Sequence, residues 1–582
     1  MIVIGLNIYH PDSSASILID GEIKTMIEEE RFVRIKHFHG FPFESVNHCL
    51  RENKLSIEEV DCFVVNFDPK YNIKPRIISS VRNALNPNTF SRIGRYLKKR
   101  NLKKLIKVNY PNFKGKIVNI PHHLSHVASS YLCSGMNDAV GISIDGVGDF
   151  SSMEIYKCTS NKFQLLYKTN FPHSLGVFYQ SITQFLGFKN YGDEYKVMGL
   201  AAYGEPKYFE KIKEVINFVP PFDFKLNLKY FNHDKFNDYF TEIQGVPYFD
   251  NLFSEKIFSL LGKKRQPSEE INQRHMDIAA SAQKIFEEIV LKICQNAYLE
   301  NYSDNLCLSG GCVFNSSMIG KLIENINFKN IFIQPNCGDA GGSLGAALYY
   351  SSKTLNKFQN KKLKNIYTGS NYSNDEIERR LKKFNLTKLG YKYLKIDSFD
   401  EICEIAAKRI DKFKIIAWYQ DRSEWGPRAL GNRSFLADPR VREIKEYINR
   451  KIKLREEFRP FAPSILMDHQ SKYFETNNKF EYLYMGAVTK AKSITKTVAP
   501  GIVHSDGTSR IQSVSENSNK KYFKLLKKFY EKYDVPILLN TSFNVNEPIV
   551  ETPEDAISCF VSTKLETLIL NNFIIFKEDL HA

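Results

Sequence analysis

AVGISIDGVGDFSSMEIYKC, residues 139–158, reads as an apolar strand, a polar turn at Asp145-Gly146 and a second strand. The chain opens in the same way. MIVIGLN (1–7) is an apolar strand, and SASILIDG (14–21) with EIKTMIEEE (22–30) predicts a hairpin turned at Asp20-Gly21, a pair that a two-residue β-turn favours. Two such units, each ending a buried strand in a polar loop, predict a duplicated α/β nucleotide-binding core with a cleft between its halves.

Further along, Ile278, Ala282, Ile285, Ile289 and Ile293 fall at helical spacing, which predicts an amphipathic helix over 277–295. NLCLSGGCVFNSSMIGKLI (305–323) and NIFIQPNCGDAGGSLGAALYY (330–350) each read as a strand, a glycine loop and a helix. Glycines at a strand-to-helix turn let backbone N–H groups approach an anion at the helix N-terminus. Ser309, Gly310, Gly311, Asn315 and Gly338 are therefore the candidate nucleotide contacts, with a plain tight turn as the alternative at each loop.

PHHLSHVAS (121–129) puts His122 and His126 one helical turn apart, and Asp339 lies in the second glycine loop. Two neutral imidazoles and a carboxylate suit a borderline divalent cation, and Asp145 could add a ligand directly or through water. The competing reading of an HxxxH pair is two surface or core histidines. His10, just past the first strand, could accept a proton from an attacking hydroxyl, or could simply stabilise its loop. Lys36 and His37 could bring positive charge to the same cleft.

The chain has 582 residues, 43% of them hydrophobic, and a formal net charge of +16. That length predicts several domains, and the charge predicts anionic ligands without saying which. Ten cysteines without a CxxC pair argue against a zinc ribbon or a disulfide framework. The N-terminus has no basic segment ahead of an apolar one and no apolar run reaches membrane length, so a cytoplasmic address and no membrane partner are expected. RIGRYLKKRNLKKLIK (92–107) is the densest basic run and reads as a solvated helix face. Residues 206–265 are an aromatic-rich insertion without clean period.

Polar, lysine-rich sequence from 351 to 374 places the domain boundary: a first domain over 1–358, a linker over 359–390 and a second domain over 391–582. The second domain opens with KIIAWYQDRSEWGPRALGNRSFLADPR (414–440). Arg422, Arg428, Arg433, Lys453, Arg455, Arg459 and Arg510 stand in apolar or Gly/Pro contexts, and converging guanidinium groups would hold a highly charged ligand. About half of them are expected instead in ion pairs with Glu424, Glu456 or Asp438. Asn540, Thr541, Ser542 and Asn544, at the end of the strand in VPILLNTSFNVNEPIV (535–550), could add neutral hydrogen bonds.

GLNIYHPDSSASI, EEERFVRIKH, HHLSH, SIDGVGD, EYKVMGLAAYG, LSGGCVFN and QPNCGDAGGSLGAAL, followed by EWGPRALGNRS, IKLREEFRPFAPS, HSDGTSRIQSV and LLNTSFNVNEPIVETPEDA, together resemble the O-carbamoyltransferases of nodulation-factor and antibiotic biosynthesis. The resemblance runs from Gly5 to Ala556 in one order. It implies an actin-like (ASKHA, Kae1-like) first domain and a smaller α+β YrdC-like second domain. The second would make carbamoyl-adenylate from carbamoyl phosphate and Mg-ATP. The first, with a divalent metal usually assigned as Fe(II), would pass the carbamoyl group to a hydroxyl of a sugar, antibiotic, toxin or glycan. Carried over by position, His122, His126, Asp145 and Asp339 match the metal site, and His10 and Lys36 the transfer site. Arg428, Lys453, Arg459, Arg510 and Ser542 match the phosphate and nucleotide contacts. A tRNA threonylcarbamoyl-type enzyme and an actin-like sugar kinase are the alternatives. The first would bind nucleic acid, which is not expected here; the second would leave the His/Asp set and the cationic module unexplained. A homodimer is compatible with the aromatic content.

Overall fold

A computed structural model describes residues 1–82, 102–235, 240–563 and 565–577, so most of the basic run at 92–107 lies outside the described residues. The chain divides into two compact units, residues 1–363 and 364–582.

The first unit contains the expected duplication. Strands β1 (Ile2–Asn7), β2 (Ser14–Ile19), β3 (Glu22–Glu28), β4 (Cys62–Val65) and β5 (Lys116–Asn119) form a sheet of order β3-β2-β1-β4-β5. β1 to β3 are antiparallel; β1, β4 and β5 are parallel. Strands β6 (Asp138–Gly148), β7 (Ser151–Thr159) and β8 (Lys162–Asn170) lead into the second sheet. The insertion supplies the hairpins β9 (Ile216–Val219) with β10 (Asp223–Leu226), and β11 (Phe240–Ile243) with β12 (Val246–Phe249). Then β13 (Asn305–Ser309) and β14 (Asn330–Phe332) complete a sheet of order β14-β13-β6-β7-β8, with the same strand senses as the first.

The β2–β3 hairpin turns at Asp20-Gly21 as read from sequence, both residues at positive φ. The second hairpin turns elsewhere. Asp145 and Gly146 lie within β6, and the turn falls at Asp149-Phe150, whose φ angles are 49° and 71°. Between Ile144 and Gly148 the register shifts, so Asp145 sits on a bulge, the device by which a strand re-aims one side chain.

Two helices, His122–Tyr131 and Gly341–Thr354, lie between the sheets. Small residues set how closely these layers meet. A Cβ on Gly5 of β1 would stand 1.9 Å from the Ser343 carbonyl oxygen, and one on Gly345 would stand 1.8 Å from that of Ser125. Ser14 donates to the Ala340 carbonyl, and Ser14 and Ser16 both bond the Ser343 hydroxyl. On the other face of the first sheet Ile4, Leu6, Phe63, Val65 and Phe67 form a core with Val46 and Cys49. The helix expected over 277–295 runs longer, Gln273–Leu299, from an N-cap at Asn272.

The second unit is built on an eight-stranded mixed sheet, in which the strand Ile416–Tyr419 pairs with Arg433–Ala437, and that strand with Ile537–Ser542. The stretch 359–390, expected as linker, is partly folded. Leu363 bonds back to Cys133, and Asn374–Lys383 is a helix whose Ser373/Glu376 capping box and buried Ile377 and Leu381 the lysine content had masked. Among the described residues no helix is long and apolar enough to cross a membrane.

Gly345→Ala should destabilise the first unit by about 1–3 kcal/mol, because the added methyl meets a backbone oxygen that cannot move aside. Gly146→Ala, where a Cβ meets nothing within 4 Å, should not. Thermal unfolding of the two variants against wild type checks this.

Candidate metal and transfer site

His122 is the first residue of one central helix, and Asp339 lies two residues before the first residue of the other. With His126 one turn on and Asp145 raised on its bulge, four donors converge. The two Nε2 atoms are 3.0 Å apart; they lie 2.9 and 3.4 Å from Asp145 Oδ2, and 3.4 and 3.2 Å from Asp339 Oδ1. Both histidines are fully buried. A tetrahedral ion with bonds of about 2.0–2.2 Å separates its ligand atoms by roughly 3.3–3.6 Å, close to this spacing. Asp339 Oδ1 is buried and makes no hydrogen bond, a donor left available in the interior. Two neutral imidazoles and two carboxylates cancel the charge of a divalent cation, so donor chemistry and geometry both fit one.

The surroundings are shaped to this cluster. A Cβ on Gly148 would stand 1.9 Å from His122 Cδ2, so only glycine admits the ring there. Asp149 Oδ2 accepts the His122 backbone N–H at 2.9 Å and that of Asp68 at 2.8 Å, pinning the helix start with an anion. His123 bonds Ser143, and burial pushes its pKa down to about 4, so it stays neutral beside the pair. Gly311 N–H donates to Asp145 Oδ1, and Gly310, at φ 94°, donates to the Cys337 carbonyl, which joins the two glycine loops along one wall. Ser309 is buried at the end of β13, and Gly338 packs under Phe314. Asn315 serves the fold: it caps the following helix and exchanges amide bonds with Gln283.

His10 stacks on His122 with centroids 4.8 Å apart, its Nδ1 3.7 Å from Asp339 Oδ2. Lys36 is exposed, while its neighbour His37 bonds Asp12 at 2.8 Å and Glu30 through its backbone N–H. Burial lowers the His37 pKa, but Asp12 and Glu30 outweigh it and raise it to about 9. Sequence reading named His37 as a source of positive charge but singled out neither Asp149 nor Asp12, the partner of His37, since the groups they bond are distant in sequence and carry no periodic signal.

In the second unit Arg510 has its pKa held well below the usual guanidinium range by burial and by the nearby charges of Arg428 and Arg455, so three of the predicted cations gather at one place. Lys453 is buried and donates to Ser542 and Asn544, which fixes the end of the Ile537–Ser542 strand. Asn540 donates to the Ala429 carbonyl beside Arg428. Arg459 faces Glu456 at 3.6 Å. Arg433, expected among the ligand-binding cations, is fully buried and spends its guanidinium on the carbonyls of Ser370, Gln420, Asp421 and Asn432, so its task is structural. Arg422 donates to the Gly369 carbonyl. Glu424, expected to pair with an arginine side chain, accepts the backbone N–H groups of Leu430, Asn432 and Arg433 and so shapes the loop that carries Arg428.

Residues 2–348 match the family model described as carbamoyltransferase N-terminus, and residues 407–577 the one described as carbamoyltransferase C-terminus. Nodulation protein NolNO of Sinorhizobium fredii is 32% identical over 98% of this chain and 80% of its own length. Nodulation protein NolO of Bradyrhizobium diazoefficiens is 35% identical over 78% of each. An uncharacterised Synechocystis protein is 35% identical over 99% of this chain and 96% of its own. Among solved structures, HypF from T. kodakarensis is 15% identical, covering 60% of this chain and 48% of that one at a TM-score of 0.30.

Burial lowers the His122 pKa, but the hydrogen bond to Asp145 and the close carboxylates of Asp145 and Asp339 raise it to about 10, so the metal-free imidazole is protonated at neutral pH. A cation bound through Nε2 must expel that proton. Cobalt(II) affinity should therefore rise about tenfold per pH unit between pH 6.5 and 8.5, with proton release seen by titration in buffers of different ionisation enthalpy. His122→Ala should abolish stoichiometric binding.

Proposed function

This chain belongs to the carbamoyltransferase family, and from that premise we propose that it transfers a carbamoyl group from ATP-activated carbamoyl phosphate to an acceptor hydroxyl. The first unit is read as an actin-like transfer domain and the second as a YrdC-like domain that forms carbamoyl-adenylate. The observation that carries the reading is the convergence of His122, His126, Asp145 and Asp339 in one buried cage.

Carbamate is a poor electrophile because its carboxylate is stabilised by resonance. Water first attacks the carbonyl carbon of carbamoyl phosphate and phosphate leaves, giving carbamate; a carbamate oxygen then bonds to the α-phosphorus of Mg-ATP and pyrophosphate leaves, so that AMP becomes the leaving group of the next step. Arg428, Arg455 and Arg510 neutralise the phosphates, with Arg459 at the rim, and Lys453 holds Ser542 and Asn544 in place for hydrogen bonding. In the first unit the acceptor oxygen attacks the carbamoyl carbon, its proton passes to a nitrogen of His10, and AMP departs. The Ser309–Gly311 loop and the loop at Gly338 form the wall along which the adenylate lies, with the Gly310 and Gly311 N–H groups already bonded to the Cys337 carbonyl and to Asp145 Oδ1. A divalent cation at the His/Asp cage, taken as iron(II), would supply Lewis acidity toward an oxygen of the carbamoyl-adenylate. Lys36, exposed on the His37 loop, attracts the anionic intermediate.

The test supplies ATP, carbamoyl phosphate and pooled metabolites to the iron-loaded protein and follows pyrophosphate and any mass gain of one carbamoyl group. Arg428→Ala should slow pyrophosphate release by about 100-fold or more. His122→Ala should keep pyrophosphate release and lose the carbamoylated product. Formation of ADP in place of pyrophosphate would overturn the reading in favour of a kinase.

A further inference from the structure

The aromatic insertion does more than decorate the first unit. The β11–β12 turn is tied to the loop carrying Lys36 and His37, because His39 donates its N–H to the Gly245 carbonyl at 2.8 Å. At the other end of the hairpin, the Phe249 ring stacks on Tyr191 with centroids 5.7 Å apart and planes at 15°. Tyr191 in turn meets the His37 ring edge-on at 5.2 Å, and the carboxylates of Asp339, Asp12 and Asp145 help to raise its phenol pKa well above the ordinary range, after burial. Tyr191 therefore stands between the His37 ring and Phe249.

Behind it is a cleft whose lining includes Lys189, Lys264, Arg265, Tyr248, Phe249 and Gln184 and, among the described residues, no carboxylate. Arg265 is buried, its guanidinium fixed by the carbonyls of Glu269, Leu186 and Pro267. Gly187, at φ 83°, admits that guanidinium, since a Cβ there would stand 2.8 Å from Nη1. Gln184 holds the far wall by bonding the Phe249 and Asp250 carbonyls and the Leu252 N–H. Lys189 is exposed and Lys264 half-buried, and Tyr248 presents an exposed ring. Two lysines facing one cleft repel one another and favour an anion between them. Exposed aromatic rings beside them offer a flat apolar surface for a ring-bearing ligand.

We propose that this cleft binds the anionic group of the acceptor, a phosphate or sulfate monoester carried on a ring, and so presents the neighbouring hydroxyl past Tyr191 to the transfer site. This deepens the functional reading above and rests on it for the word acceptor alone; the binding itself does not need it. The two lysines supply the charge and Tyr248 and Phe249 the surface on which the ring lies.

The experiment measures binding of phenyl phosphate, with phenyl sulfate and phenol in parallel, by ligand-observed NMR. It uses the full chain carrying Arg428→Ala and Arg510→Ala, so that the cations of the second unit do not contribute. Either ester should bind at least tenfold more tightly than phenol and weaken with added salt. Lys189→Glu with Lys264→Glu should reduce that affinity at least tenfold at an unchanged thermal midpoint, whereas Lys264→Arg should keep it within threefold. Ester binding unchanged by the double reversal, or no tighter than phenol, overturns the proposal. Because no step uses carbamoyl transfer, a failed transfer assay and a failed binding assay are told apart.

Discussion

Two imidazoles facing two carboxylates in a largely buried place are the constraint on which the rest of the first unit depends. His122 and His126 are fully buried, and the side chains of Asp145 and Asp339 are each 11% exposed. Charges in such a place are stable only when balanced, and removing one partner leaves the others uncompensated. The cage can reach balance with protons on the imidazoles or with one divalent cation, and the second solution also satisfies the buried Asp339 oxygen that has no hydrogen bond.

Placing four donors within reach of one ion needs backbone control finer than side-chain packing supplies. The two central helices start at the same end of the unit and approach so closely that glycines are required at Gly5 and Gly345, and the β6 terminus yields room for the His122 ring at Gly148. The bulge that lifts Asp145 and the Asp149 contact to the His122 N–H complete the alignment. Each device stores little energy alone. Together they fix donor positions to the tolerance that coordination demands.

In the function proposed, the second unit has a different task, that of holding phosphates. Its cations divide by burial into those that build the site and those that can face a ligand. Arg433 and Lys453 lie fully inside and are consumed by carbonyls and amide oxygens, and they set the loops that carry Arg428 and Ser542. Arg428 and Arg455, the latter bonded to Asn449, add their charges to that of Arg510, a repulsion that an anionic ligand would relieve.

The sequence by itself determined the elements and much of the chemistry. Period-two strands around Asp20-Gly21, glycine loops after β13 and β14, and the helical spacing of His122 and His126 all depend on neighbours a few residues apart, so their physics is local. It also marked the buried arginines, but not their tasks. What only the tertiary structure decided involves groups distant along the chain. The turn expected at Asp145-Gly146 falls at Asp149-Phe150 because β6 continues past Asp145 through a bulge, where the Asp145 carboxylate meets His122. The linker expected over 359–390 contains a capped helix because Ile377 and Leu381 find a core. His37 takes the place beside Asp12, and Arg433 is withdrawn from the ligand, because hydrogen-bond partners are assigned by proximity in space, which no spacing in one dimension encodes.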